Sequence, residues 1–308
     1  MVDTGIDDDL WLRPIFPPAE YAARVARGEA FERAGCVVQP DWKLSQITRR
    51  RPPGITAHQW SSAIRTQFAF VVGDQRSVAP TFAVELSASV GRGPEASRDD
   101  RMTNAVCAAV GLQLLRIESP TLGDGGNGRR ILDYVLDARA FGDVTGADDG
   151  DPTDPAPQTY RDIIGRLPDG RSGYVNDLGA VARSAAVDAY ASRQVFDPII
   201  RSLHVSWADG PAEGWAWLEV RADQFFFERV RVWQHGFSCG VDPGKLAEDL
   251  AAAAIGEQLK RLGNDEPVLY AREQLGRDLT ELRLRQDELA TDFAFAHISF
   301  EQPVDAEV

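Results

Sequence analysis

At 308 residues the chain is long enough for two hydrophobic cores, since single domains usually run to about 100–200 residues. Hydrophobic residues make up 44% and charged residues 26%, as in ordinary globular chains, and the longest apolar run, near Leu250 to Ile255, is too short to span a bilayer. A formal net charge of -14 repels phosphate backbones at long range, so any nucleic-acid contact must come from local arginines.

The first residues, Met-Val-Asp-Thr-Gly-Ile-Asp-Asp-Asp, lack the basic-then-apolar pattern of a secretory leader, which predicts a cytoplasmic protein that makes no membrane contact. Cys36, Cys107 and Cys239 are odd in number and widely spaced, as expected of reduced thiols rather than a disulfide framework. Lys43, Lys245 and Lys260 are the only lysines among 33 basic residues, a bias that reflects a GC-rich genome more than any chemistry.

In chain order, Pro17-Pro18 precedes a predicted helix from Ala19 to Ala34, which Gly35 is placed to end. Cys36 to Val38, Thr66 to Val72 and Thr81 to Leu86 read as strands, the last two joined by a turn at Gly73 to Arg76. Ser97 is placed to cap a helix that runs to Val110, Gly111 stops it, and Leu112 to Ile117 suits a buried strand. The order αβββαβ, with a strand–helix–strand crossover, predicts an α/β N-terminal domain with a mixed sheet over residues 17–141.

Residues 142–158 carry five aspartates and three prolines and almost nothing to bury, which marks an acidic linker. Beyond it, a helix over Asp177 to Phe196, strands at Arg201 to Trp207, Gly214 to Arg221 and Phe225 to Trp233, a helix over Pro243 to Leu262 and a last strand at Phe293 to Phe300 predict an α+β C-terminal domain, 159–308.

Three segments carry a resemblance. They are Gly35-Cys36-Val37-Val38-Gln39-Pro40, Pro80-Thr81-Phe82-Ala83-Val84-Glu85-Leu86-Ser87 followed by Arg98-Asp99, and Gly111-Leu112-Gln113-Leu114-Leu115-Arg116. With Phe68 to Val72 between the first two, their order is similar to that of an uncharacterised bacterial domain family within the PD-(D/E)XK, or restriction-endonuclease-like, nuclease superfamily. The resemblance covers about a third of the chain and implies a restriction-endonuclease-like core with a metal-dependent phosphodiesterase site. That site needs two acids and a lysine to hold Mg²⁺ or Mn²⁺ and activate a nucleophile. Here Ala69 stands at the first acidic position, Glu85 remains at the second, and Ser87 replaces the group two residues on. Glu85 and Ser87 are therefore the degenerate catalytic positions. A metal could still be held by Glu85 if Asp99 were brought beside it, with Glu29, Glu95 and Asp100 as further candidates.

Glu85 has a plainer reading as a strand acid paired with Arg98 or Arg101. Arg98, Arg101 and Arg116 are candidate phosphate contacts, against a self-paired helix surface shared with Asp99 and Asp100. His235 and Cys239 have zinc-compatible spacing but no second ligand pair, and Gly123 to Gly128 lacks the ending of a phosphate loop. Trp215, Trp217, Phe225, Phe227 and Trp233 read as core packing, or else as an exposed aromatic face for a partner or for bases. Leu275, Leu279, Leu282 and Leu289 read as one face of an amphipathic helix.

The sequence thus favours a non-catalytic nuclease-like scaffold that binds nucleic acid or a protein partner and has no cofactor. An active nuclease using Mg²⁺ or Mn²⁺, and an acidic interaction module unrelated to nucleic acid, are the alternatives.

Overall fold

The computed structural model describes residues 11–88, 94–123, 126–145, 160–168, 170–236, 241–264 and 266–290. The protein is α/β with a mixed sheet, and its described residues fall into two compact units. The first draws on 11–86, 94–116 and 234–236, and the second on 87–88, 117–233 and 241–290. The chain passes between the units more than once, after Leu86, after Arg116 and on either side of 234–236, and most of the expected linker over 142–158 lies outside the described residues. No helix among the described residues is long and apolar enough to cross a membrane.

The first unit opens with α1 (Tyr21–Ala26), β1 (Phe31–Arg33), β2 (Cys36–Lys43), α2 (Leu44–Ile47) and α3 (Ala57–Ala63). It continues through β3 (Gln67–Asp74), β4 (Pro80–Ser87), α4 (Pro94–Val110) and β5 (Gln113–Glu118), and its strands lie in the order β1-β2-β3-β4-β5. The helix expected over 19–34 stops at Ala26, and residues 31–33 are a strand instead. Arg33 pairs with Cys36 across a two-residue turn in which both Ala34 and Gly35 have positive φ, the conformation whose twist suits a hairpin. The helices α2 and α3 are additions to the expected order. A capping box, in which Thr56 and Gln59 satisfy each other's backbone N–H groups, begins α3.

The pairs β1–β2, β2–β3 and β3–β4 are antiparallel. After α4 the chain returns in β5, and the Ser119 N–H donates to the Ser87 carbonyl at 2.8 Å, which sets the C-terminal ends of β4 and β5 side by side. The pair is therefore parallel, as a helical crossover requires. The apolar residues Val71, Ala83, Val106, Cys107, Val110, Leu112 and Leu114 join one core, so α4 covers one face of this sheet.

The second unit contains α5 (Asn127–Thr145), the hairpin β6 (Ile164–Arg166) and β7 (Ser172–Tyr174), α6 (Ala180–Ala191), β8 (Arg201–Ser206), β9 (Ala212–Arg221) and β10 (Gln224–His235). α7 (Pro243–Arg261), β11 (Tyr270–Ala271) and α8 (Arg272–Leu284) complete it. The strands β8, β9 and β10 form an antiparallel meander, with β11 beside β10. The predicted strand at Phe293 to Phe300 lies outside the described residues.

Period-two alternation gives this meander two apolar faces. Trp215, Trp217 and Phe225 pack with Leu275, Leu279 and Leu282 of α8, so the aromatic face is core and the leucine stripe is its cover. On the other face runs α7, capped by Asp242 with Pro243 in its first turn, and buried almost all round through Leu246, Leu250, Ala251 to Ala254 and Ile255. Gly214 is where that helix meets the strand, since a Cβ there would collide with the backbone of Ala247 and Glu248.

Gly214→Ala should therefore force α7 off the sheet and lower the unfolding free energy by about 1–3 kcal/mol, a typical overpacking cost. The midpoint of a urea denaturation curve measures it; an unchanged midpoint would show that α7 does not bear on β9 at this residue.

Candidate functional site

Along the α4-covered face of the first unit, β4 presents Ala83, then Glu85 and Ser87, while β5 presents Gln113's neighbours Leu112 and Leu114, then Arg116. The face thus changes from apolar to polar toward the C-terminal ends of the two strands, the region where open α/β sheets generally bind ligands. Above it, Asp100, Thr103, Asn104 and Cys107 recur at helical spacing along α4.

The centre of this polar patch is an ion cluster. Arg116 is only 2% exposed, and its Nε donates to Glu85 Oε2 at 3.0 Å. Its Nη2 lies 3.0 Å from the same oxygen and 3.4 Å from Asp100 Oδ1, as charge contacts rather than well-aligned hydrogen bonds. Asn104 Nδ2 lies 2.9 Å from His235 Nε2, where burial and then the Arg116 charge hold the imidazole below its usual pKa. Burial pushes the Cys107 thiol up to about 12, which leaves it protonated and unreactive.

The expected site residues separate into two groups. Glu85 and Ser87 lie at the buried end of β4, with Arg116 as an ion partner of Glu85. Asp99 turns instead toward α3, where its Oδ1 accepts from the Ser62 hydroxyl at 2.8 Å, and it is the neighbouring Asp100 that approaches Arg116. Arg98 and Arg101 are exposed on α4, with Arg98 Nη2 3.4 Å from His58 Nε2. Arg116, the third expected phosphate contact, is buried and held by carboxylates, so it is not presented at the surface. Glu29 pairs with Arg27, the side chain of Glu95 lies outside the described residues, and so does Cys239 of the proposed zinc pair.

These residues do not fit a divalent cation. A carboxylate can hold such a metal through one oxygen or two, but the Arg116 guanidinium already sits 3.0 Å from Glu85 Oε2, and its charge repels Mg²⁺ or Mn²⁺ at that point. Among the described residues no three His, Cys, Asp or Glu side chains converge on a common point.

The second unit carries polar clusters that the sequence did not announce. The Glu248 carboxylate accepts from Ser202 Oγ at 2.6 Å and pairs with His204 Nδ1 at 2.7 Å. Burial pushes this carboxyl up, but the bonds from His204 and Ser202 outweigh burial and hold it at about 2. Beside it Asp249 is fully buried, with Arg161 at 2.9 Å and Arg183 at 3.8 Å. Burial, reinforced by the Asp177 charge, drives the Asp249 pKa well above the usual carboxylate range. Glu213, 1% exposed, is gripped by Arg229 and Arg231 of β10.

Comparison with known proteins finds one family, described as Protein of unknown function (DUF2726), which matches residues 52–134. That stretch, about a quarter of the chain, takes in α3 through β5 and the start of α5. It therefore includes Glu85, Ser87, Asp99, Asp100 and Arg116, and it supports an uncharacterised domain family there. No curated protein and no solved structure matches the chain.

Arg116→Met would remove the buried cation from beside Glu85 and Asp100, and the expected loss of stability is about 3–5 kcal/mol by urea denaturation. Adding Glu85→Gln should recover part of it; a single variant as stable as the parent would show that the cluster is not buried as described. Glu248, whose folded pKa lies below its unfolded value, contributes stability in full above about 4.5, and that stability is lost as pH falls toward about 2. The span corresponds to about 3 kcal/mol, so Glu248→Gln should flatten the acid limb of a stability–pH profile, and an identical limb in the variant would refute the assignment.

Proposed function

We propose that the first unit is a nuclease-like domain of the PD-(D/E)XK type that has exchanged catalysis for binding, and that it holds nucleic acid through the α3–α4 surface. The observation that carries this reading is Arg116. A buried guanidinium against Glu85, within reach of Asp100, occupies with protein charge the place where such a nuclease would hold its metal. The resemblance of the β4 and β5 segments to that superfamily is in keeping with it, whereas the family matched over residues 52–134 is one of unknown function and supports an uncharacterised domain alone.

The binding surface follows from how α3 and α4 are joined. His58 faces Arg98, Ser62 bonds Asp99, and the Thr66 and Thr103 hydroxyls lie 2.9 Å apart, so the two segments run alongside each other. Arg98 and Arg101 are exposed on that ridge, and Arg65 is exposed just beyond α3. In a chain of net charge -14 such a local ridge sets phosphate contact without bulk attraction, and it predicts weak, salt-sensitive binding.

The test is to incubate the purified chain with single- and double-stranded DNA and RNA in Mg²⁺ or Mn²⁺, and to follow cleavage and retention together. Expected are retention without cleavage, a retention lowered severalfold by Arg98→Ala with Arg101→Ala, and no effect of Glu85→Ala on cut product. Cleavage that disappears with Glu85→Ala would replace this reading with an active metal-dependent nuclease. Neither cleavage nor retention would replace it with an acidic protein-interaction module.

A further inference from the structure

The second unit carries an open pocket of about 540 Å³ where α6 ends, within the size range of small-molecule sites. Tyr190 and Ala191 of α6, Arg193, Val195 and Phe196 beyond it, and Val220 of β9 line it. All six belong to that unit.

How the helix stops sets the shape of the pocket. The Gln194 N–H donates to the Ala189 carbonyl at 2.8 Å and the Arg193 N–H to the Tyr190 carbonyl at 2.9 Å, the pair of bonds that closes a helix around one residue of left-handed φ. That residue is Arg193, at φ +61°, although glycine is favoured there because a Cβ crowds the backbone. Just beyond, the chain is fastened to the end of β9, since the N–H groups of Phe196 and Asp197 both donate to the Glu219 carbonyl, at 3.1 and 3.2 Å. Val195 and Val220 are buried and form the floor, while Tyr190 and Phe196 stay 49% and 60% exposed at the sides.

The charges around the pocket leave one cation over. Asp188 is paired with Arg171, Asp197 with Arg201 and Glu219 with Arg272. Among the described residues, by contrast, no hydrogen bond or ion pair holds the Arg193 guanidinium. No carboxylate is among the lining residues, in a chain where 47 acidic residues stand against 33 basic ones.

We propose that this pocket binds a small organic carboxylate with an aromatic or branched apolar body. Arg193 takes the carboxylate through two parallel N–H···O bonds, for which the planar guanidinium is matched. The body lies against Tyr190 and Phe196 and covers Val195 and Val220, so that both apolar surfaces leave water together. An exposed ion pair by itself contributes little, and ligand selection therefore needs the ring and the charge at once. The left-handed φ of Arg193 is strain held at a binding position, keeping a guanidinium where glycine would suit the backbone better. The site is independent of the nucleic-acid reading of the first unit.

Isothermal titration calorimetry on the full chain tests the assignment, with 2-naphthoate and phenylacetate as probes. The controls are 2-naphthalenemethanol, which keeps the ring without the charge, and acetate, which keeps the charge without the ring. Expected is saturable binding of at least one probe at millimolar concentration or below, with neither control saturating over the same range. Arg193→Gly removes the guanidinium and relaxes the backbone in one step, so it should weaken binding by about tenfold or more while the melting temperature stays close to the parent's. Should that variant unfold, Phe196→Ala serves in its place, because a ring that is 60% exposed is removed without emptying the core, and binding should fall severalfold. Equal binding of either control would overturn the proposal, as would binding indifferent to Arg193→Gly or Phe196→Ala, or no binding of either probe.

Discussion

A guanidinium taken out of water has to find its counter-charge inside the protein, and in the first unit this requirement organises everything around it. Arg116 at the end of β5 draws in Glu85 from β4 and Asp100 from α4, three elements brought together by charge as well as by packing. Because strand residues two apart share a face, the same pairing fixes where Ser87 lies and which way α4 is rotated. The apolar half of that face, with Val106, Cys107 and Val110 of α4 against Ala83 and Leu114, seals the cluster from below. A cluster formed this way is inflexible in its chemistry, since removing one buried charge leaves its counter-charge poorly compensated.

The longer strands of both units were legible because alternation with period two survives local accidents of composition, and β3, β4, β8, β9 and β10 fall close to their expected limits, whereas the two- and three-residue strands β1, β6, β7 and β11 are too short to show it. The first helix was overextended because Glu29 to Arg33 carries no strong breaker. Its hairpin turn is Ala34-Gly35, not the Asn-Gly or Asp-Gly that would have announced one. α3 had a readable start in Thr56-Ala57-His58-Gln59, a capping-box spacing in a stretch between two expected strands where no helix was expected. α5 had apolar residues at helical spacing, Ile131, Leu132, Val135 and Leu136, but a glycine-rich run ahead of it and the acidic stretch behind masked its ends.

The site was legible only one strand at a time. Periodicity placed Glu85 and Ser87 on a common face, yet nothing in it could say that the face would meet Arg116, 31 residues further on. The same limit hid Glu248 of α7, whose partners Ser202 and His204 come from β8. Long-range polar contacts follow from how elements are stacked, and stacking is set by burial of the apolar faces rather than by the polar residues themselves.

Cys107 lies two turns along α4 from Asp100, under the helix and against the sheet, with its thiol kept protonated by burial. Such a sulfur meets a water-borne reagent only when the packing over it opens, so the extent to which it is alkylated reports the population of that open form. Cys107 is thus a built-in reporter of how firmly the packing beneath the ion cluster is held.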